Sequence, residues 1–204
     1  MPGSLFVYRY SKNLELPVII GLISMEIFPY IVVTIVEEIP LVRVLQGFLI
    51  LYSLYEIGYL HNDFSAKAEK KGASFRAHIT ELNLTLFFLA RSIALIAIIL
   101  TMKYCGVDQE MPIILSFLLL IVFFLHNLVK DRYFRVFTFL VLNVFKILLR
   151  LYVIGFDYIN YICSSTPHVA IKLLHYLKTK KLVSGLSDND LRRLSLPIYF
   201  SVML

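Results

Sequence analysis

Hydrophobic positions in this chain run unbroken through whole segments instead of alternating with polar ones. Five blocks, 16–36, 41–60, 82–102, 112–129 and 133–153, come close to the roughly 20 apolar residues that carry a helix across a bilayer. A sixth block, 156–177, is weaker, because Asp157, Pro167, His168 and Lys172 interrupt it. A polar stretch, SGLSDNDLRR, follows, and residues 196–204 read as the start of another apolar segment. These blocks are too long for barrel strands, which alternate over roughly 10 residues. Backbone groups in lipid must be satisfied within a helix or a closed barrel. The pattern therefore predicts an all-α, polytopic transmembrane helix bundle, with residues 1–204 forming one membrane domain.

Composition agrees. The chain is 59% hydrophobic and 17% charged, with a mean hydropathy of +0.78. Soluble domains are nearer a quarter charged. The net charge of +6 would raise nucleic acid as a partner of a soluble protein. Here the cations sit in alternate loops: Arg9 and Lys12, then Lys67, Lys70, Lys71 and Arg76, then Lys130, Arg132 and Arg135. The intervening loops hold few, with none in EEIP and Lys103 alone after the third block. This is the positive-inside bias. It sets the expectation of a multi-pass cell-membrane protein with its N-terminus and the 61–81 loop in the cytoplasm, lipid around it and no nucleic acid. The opening residues MPGSLFVYRYSKN do not read as a signal peptide. Cys105 and Cys163 have no metal or redox spacing.

The stretch from Glu56 to Glu69 carries the densest polar chemistry, where the second block runs out into a basic loop. On a helix Tyr52, Glu56, Tyr59 and Asp63 share one stripe, with Asn62 beside it. Carboxylates and an amide oxygen suit Mg²⁺, which is usually held by one or two carboxylates plus substrate phosphates. The candidate metal ligands are Asp63, Asn62 and Glu69. Glu56 joins Asp63 and Asn62 as a candidate catalytic residue, since a carboxylate below the interface is expensive and commonly functional. The plainer reading of the Asn-Asp pair is a polar helix end at the interface.

Asn62-Asp63 also carries a resemblance. UbiA-type intramembrane prenyltransferases have an Asn-Asp-x-x-Asp-x-x-x-Asp motif after their second membrane helix, and this chain resembles them in topology over the first six segments. The motif's later acids fall on Ala66 and Lys70, with Glu69 one position away. Asp188-Asn-Asp190 lies where the family has a second acidic motif, at a different spacing. The resemblance is to an atypical, truncated member. It implies a Mg²⁺-dependent transferase acting on a polyprenyl lipid with a diphosphate donor, as in cell-surface polysaccharide or lipid assembly.

Other polar residues fit around that expectation. Glu26 and Arg91 lie mid-membrane, where an isolated charge costs roughly 2.5–3.5 kcal/mol, so they either line a substrate cavity or pair. Asn143, Lys146 and Arg150 form a stripe that either lines a cavity or snorkels to the far interface. His126 ends the fourth block on the same face as Asp63. Arg76, Lys130 and Arg132 are placed to counter a diphosphate, with arginine giving bidentate contacts. With Arg91, His126 and Tyr59 they complete the candidate substrate-binding set. The competing reading is a non-catalytic membrane component or transporter with a polar intramembrane path.

Overall fold

The structure, a computed structural model, describes residues 34–35, 38–68, 81–155 and 158–185. Five long helices run in order: α1 (Leu41–Ala68), α2 (Glu81–Tyr104), α3 (Glu110–Leu128), α4 (Arg132–Ile154) and α5 (Tyr158–Thr179). No strand occurs among the described residues. Four of the helices, α1 to α4, are long and apolar enough to cross a membrane, which makes this a membrane-embedded helix bundle. The expected span 16–36 lies outside the described residues except for its end at Thr34 and Ile35, and 196–204 lies outside them altogether. The weak sixth block is helical, as α5, but does not join the four candidate spans.

Local sequence sets the helix ends. Asp131 caps α4, its carboxylate accepting the Phe134 N–H at 2.7 Å. Gly155 ends the same helix at φ 75°, with its N–H returned to the Leu151 carbonyl. At the start of α3 the Asp108 carboxylate accepts the Glu110 N–H, and Pro112 falls in the first turn, where no N–H partner is required. Residues 61–68 continue α1, as the helical stripe from Tyr52 to Asp63 expects, and are not part of the expected 61–81 loop. The segment HNDFSAKA contains no Pro or Gly to stop a helix, so the ladder runs beyond the apolar block. Asn62 and Asp63 are therefore helical residues.

α1 is the central element, packing against α2, α3 and α4, while α5 packs on α4. Ile50, Leu51, Leu54, Leu119, Leu149 and Ile154 form the innermost contacts. Over half of the α1 span is buried, against 17% of the α2 span. On α2 the residues Leu86, Leu89, Ile93, Ile96 and Leu100 make a continuous exposed apolar stripe, the face a membrane helix turns to lipid. α4 is sided in the inverted sense. Tyr133, Phe134, Phe137 and Val144 face out, while Thr138, Asn143, Lys146 and Arg150 face in. The snorkelling reading of Lys146 and Arg150 is thus replaced. Both are buried, with the Lys146 ammonium 5.5 Å from the Tyr55 ring and the Arg150 guanidinium 5.6 Å from that of Phe48.

Candidate functional site

Two polar assemblies lie within the bundle. One joins α1 to α2. Glu56 has no exposed surface, and its Oε2 lies 2.5 Å from Arg91 Nε. The Arg91 guanidinium also stacks over the Phe87 ring at 4.6 Å. Nearer the α2 C-terminus, Gln46 donates to the Thr101 hydroxyl and Arg43 to the Cys105 carbonyl. These contacts fix α2 against α1. Arg91 thus pairs with Glu56, and Glu26 lies outside the described residues.

The second assembly is a cavity of about 510 Å³ among α1, α3, α4 and α5. That volume lies within the range of small-ligand sites. It sits where α1, α3 and α5 end and α4 begins. α1 contributes Tyr55, Gly58, Tyr59 and Asn62; α3 contributes Phe123, His126 and Asn127. α4 adds Phe139, Leu142 and Asn143, and α5 adds Ile171, Lys172, His175, Tyr176 and Thr179. One wall is aromatic: Tyr55 meets Phe123 edge-on at 4.7 Å, and Phe139 stacks on Tyr176 at 4.3 Å. The rest of the lining is largely polar and, among the described residues, contains no Asp or Glu.

Hydrogen bonds hold that polar wall. Asn127 donates through Nδ2 to the Gly58 carbonyl and to His61 Nδ1, both at 3.0 Å, which ties α3 to α1. Gly58 permits the approach, since a Cβ there would lie 2.5 Å from the Phe123 ring. His126 Nδ1 is 2.8 Å from the Thr138 hydroxyl, and its Nε2 is 3.4 Å from the Tyr176 hydroxyl. Arg135 donates to the His126 carbonyl, and the Lys180 ammonium lies 5.2 Å from the Tyr176 ring. Burial and the neighbouring Arg135 guanidinium pull Lys180 below the ordinary lysine range.

The expected site residues divide among these places. Tyr59, Asn62 and His126 line the cavity. Asp63 is buried but does not line it, and Glu56 and Arg91 belong to the α1–α2 pair. Lys130 and Arg132 are exposed, away from the cavity wall. Glu69 and Arg76 lie outside the described residues. Among the described residues no three His, Cys, Asp or Glu side chains gather as metal ligands. The sequence reading passed over the α5 contribution. Its signal was present: Lys172, His175, Tyr176 and Thr179 fall at i, i+3, i+4 and i+7, one polar stripe on a weakly apolar helix. No family model, curated protein or solved structure matches this chain.

Proposed function

We propose that this protein is a membrane transferase that holds the phosphate head of a polyprenyl-type lipid in the cavity, where a phosphate oxygen bonds to the group carried by a diphosphate donor as that group's bond to the diphosphate breaks and the diphosphate leaves. The carrying observation is the chemistry of the cavity wall, where Lys172, His175 and Asn62 stand and, among the described residues, no carboxylate does. An anionic head in such a site meets donors and a cation without like-charge repulsion. Arg135 and Lys180 add positive charge next to it. Phe123, Leu142 and Ile171 supply an apolar side for the first isoprene units. The positive-inside bias of the loops supports a cytoplasmic placement of this end of the bundle, where soluble diphosphate donors reach it.

Glu69, one of the three expected magnesium ligands, lies outside the described residues. Of the expected ligands, Asn62 lines the cavity, Asp63 is buried outside its wall, and no acidic cluster supports them. No step of the proposal runs through a metal. The role of the chain's own residues is to bind the phosphate, orient it and keep the lipid chain in an apolar channel.

The absence of a carboxylate from the wall also favours a second reading, a lipid-phosphate-binding component without chemistry of its own. Two measurements separate the cases. Purified protein should bind polyprenyl phosphate at least tenfold more tightly than the uncharged polyprenol. Equal binding of the two rules out an anionic-head site. Incubation with labelled diphosphate donors should then give labelled lipid; binding without transfer leaves the second reading.

A further inference from the structure

The cavity's polar wall has more acceptors than its protein neighbours satisfy. Asn127 commits both Nδ2 protons, one to the Gly58 carbonyl and one to His61 Nδ1. Asn143 commits one Nδ2 proton to the Phe139 carbonyl at 2.8 Å. These partners fix both amides, because a flipped amide would set oxygen against a carbonyl oxygen. Each carbonyl oxygen is therefore the group left over. Thr138 lies 3.1 Å from the carbonyls of both Phe134 and Arg135 and donates there. Its oxygen then accepts from His126 Nδ1–H, so Nε2 carries the lone pair and the Tyr176 hydroxyl donates to it. Tyr176 also keeps only its oxygen for the cavity.

Three acceptors are thus left on residues that line one cavity: Asn127 Oδ1, Asn143 Oδ1 and Tyr176 Oη. Among the described residues no protein donor to any of them is seen. An ionised phosphate cannot serve them, since its oxygens also accept. Their partners must bring protons. We propose that the ligand head carries hydroxyl groups beside its phosphate, as a sugar or polyol phosphate does, and that Asn127, Asn143 and Tyr176 read those hydroxyls. This rests on the lipid-phosphate reading above and narrows its ligand to a hydroxylated head. A site built to bond hydroxyls discriminates strongly against analogues that lack them, because its buried acceptors are then left without partners.

The test compares polyprenyl phosphate, polyprenyl phosphate bearing one hexose, and the uncharged polyprenyl hexoside. Binding is measured with the full chain in detergent for wild type, Asn143→Leu and Tyr176→Phe. Wild type should prefer the phosphate-linked hexose over the bare phosphate by about tenfold or more, the scale of one or two hydrogen bonds. Each substitution should bring that ratio towards one, and because it is a ratio within one variant, a general loss of folded protein does not mimic it. A wild-type ratio of one overturns the inference and leaves the lipid-phosphate reading standing, with water on the three oxygens. Strong binding of the uncharged hexoside together with none of the bare phosphate removes the lipid-phosphate reading and keeps the hydroxyl-reading wall. Failure to bind all three lipids removes both.

Discussion

Arg91 Nε lies 2.5 Å from Glu56 Oε2, with the arginine side chain 4% exposed and the glutamate side chain 0%. The two charges face each other between a central helix and the most lipid-exposed of the candidate spans. A lone charge in a membrane span is costly, and the contact offsets part of that cost for both residues. Removing one partner takes an ionic contact from the other, and a broken buried pair costs about 3–5 kcal/mol. Glu56→Leu alone should therefore lower the unfolding temperature in detergent sharply. The double variant Glu56→Leu with Arg91→Leu should recover much of the loss, since an apolar pair of similar volume replaces a matched ionic one. A single variant as stable as wild type would contradict a pairing role.

Gly58 and Phe123 make a second tight relationship. A methyl group at Gly58 would meet the Phe123 ring at 2.5 Å, at the point where Asn127 bonds the Gly58 carbonyl. The ring must turn or α3 must move, and either strain costs about 1–3 kcal/mol. Gly58→Ala is expected to destabilise by that amount in a thermal melt. Adding Phe123→Leu should return part of it, because the leucine clears the space. Destabilisation that is independent of the residue at 123 would place the cause elsewhere.

These two contacts mark what the sequence could and could not convey. The spans now seen as α1 to α4 were legible because each is a long apolar block, and hydropathy reports depth directly. Depth does not report direction around the helix axis. The apolar pattern does not say which face Glu56 presents, and the packing of α1 on α2 is what brings it to Arg91. The same limit applies to the Tyr52, Glu56, Tyr59 and Asp63 stripe, of which Tyr59 reaches the cavity while Glu56 turns to α2. The α5 wall was hidden for a different reason. Lys172 read as an interruption of a poor membrane segment and His175 carried no expectation, when both lie on the polar face of a helix docked on α4.

Lys180 gives a pH prediction. Burial and Arg135 lower its pKa in the folded protein below the unfolded value of 10.5. Between those two values the unfolded chain binds the proton more tightly, so folding stability rises with pH across that window. Lys180→Gln removes the titrating group and should flatten that part of the profile. Unfolding temperatures of the two proteins, followed from neutral pH towards 10.5, check this directly. Parallel curves would mean that Lys180 senses neither its burial nor Arg135.

Which cations meet the ligand is the last question. Lys130 and Arg132 lie on the exposed rim, with Arg132 resting 5.7 Å from the Tyr133 ring. Charges in such positions are screened within about 8 Å at physiological salt. Lys172 is instead part of the cavity wall, flanked by Ile171 on the apolar side and His175 one turn on. A hydrogen bond to a charged group contributes about 1.5–3 kcal/mol, which is on the order of tenfold or more in affinity. Lys172→Met should therefore weaken polyprenyl phosphate binding at least tenfold and leave the affinity for uncharged polyprenol almost unchanged. Lys130→Met and Arg132→Met should change the equilibrium affinity by less than about twofold at physiological salt, with larger effects only as salt is lowered. The opposite ranking, with the rim substitutions dominant and insensitive to salt, would move the phosphate site out of the cavity and onto the membrane surface.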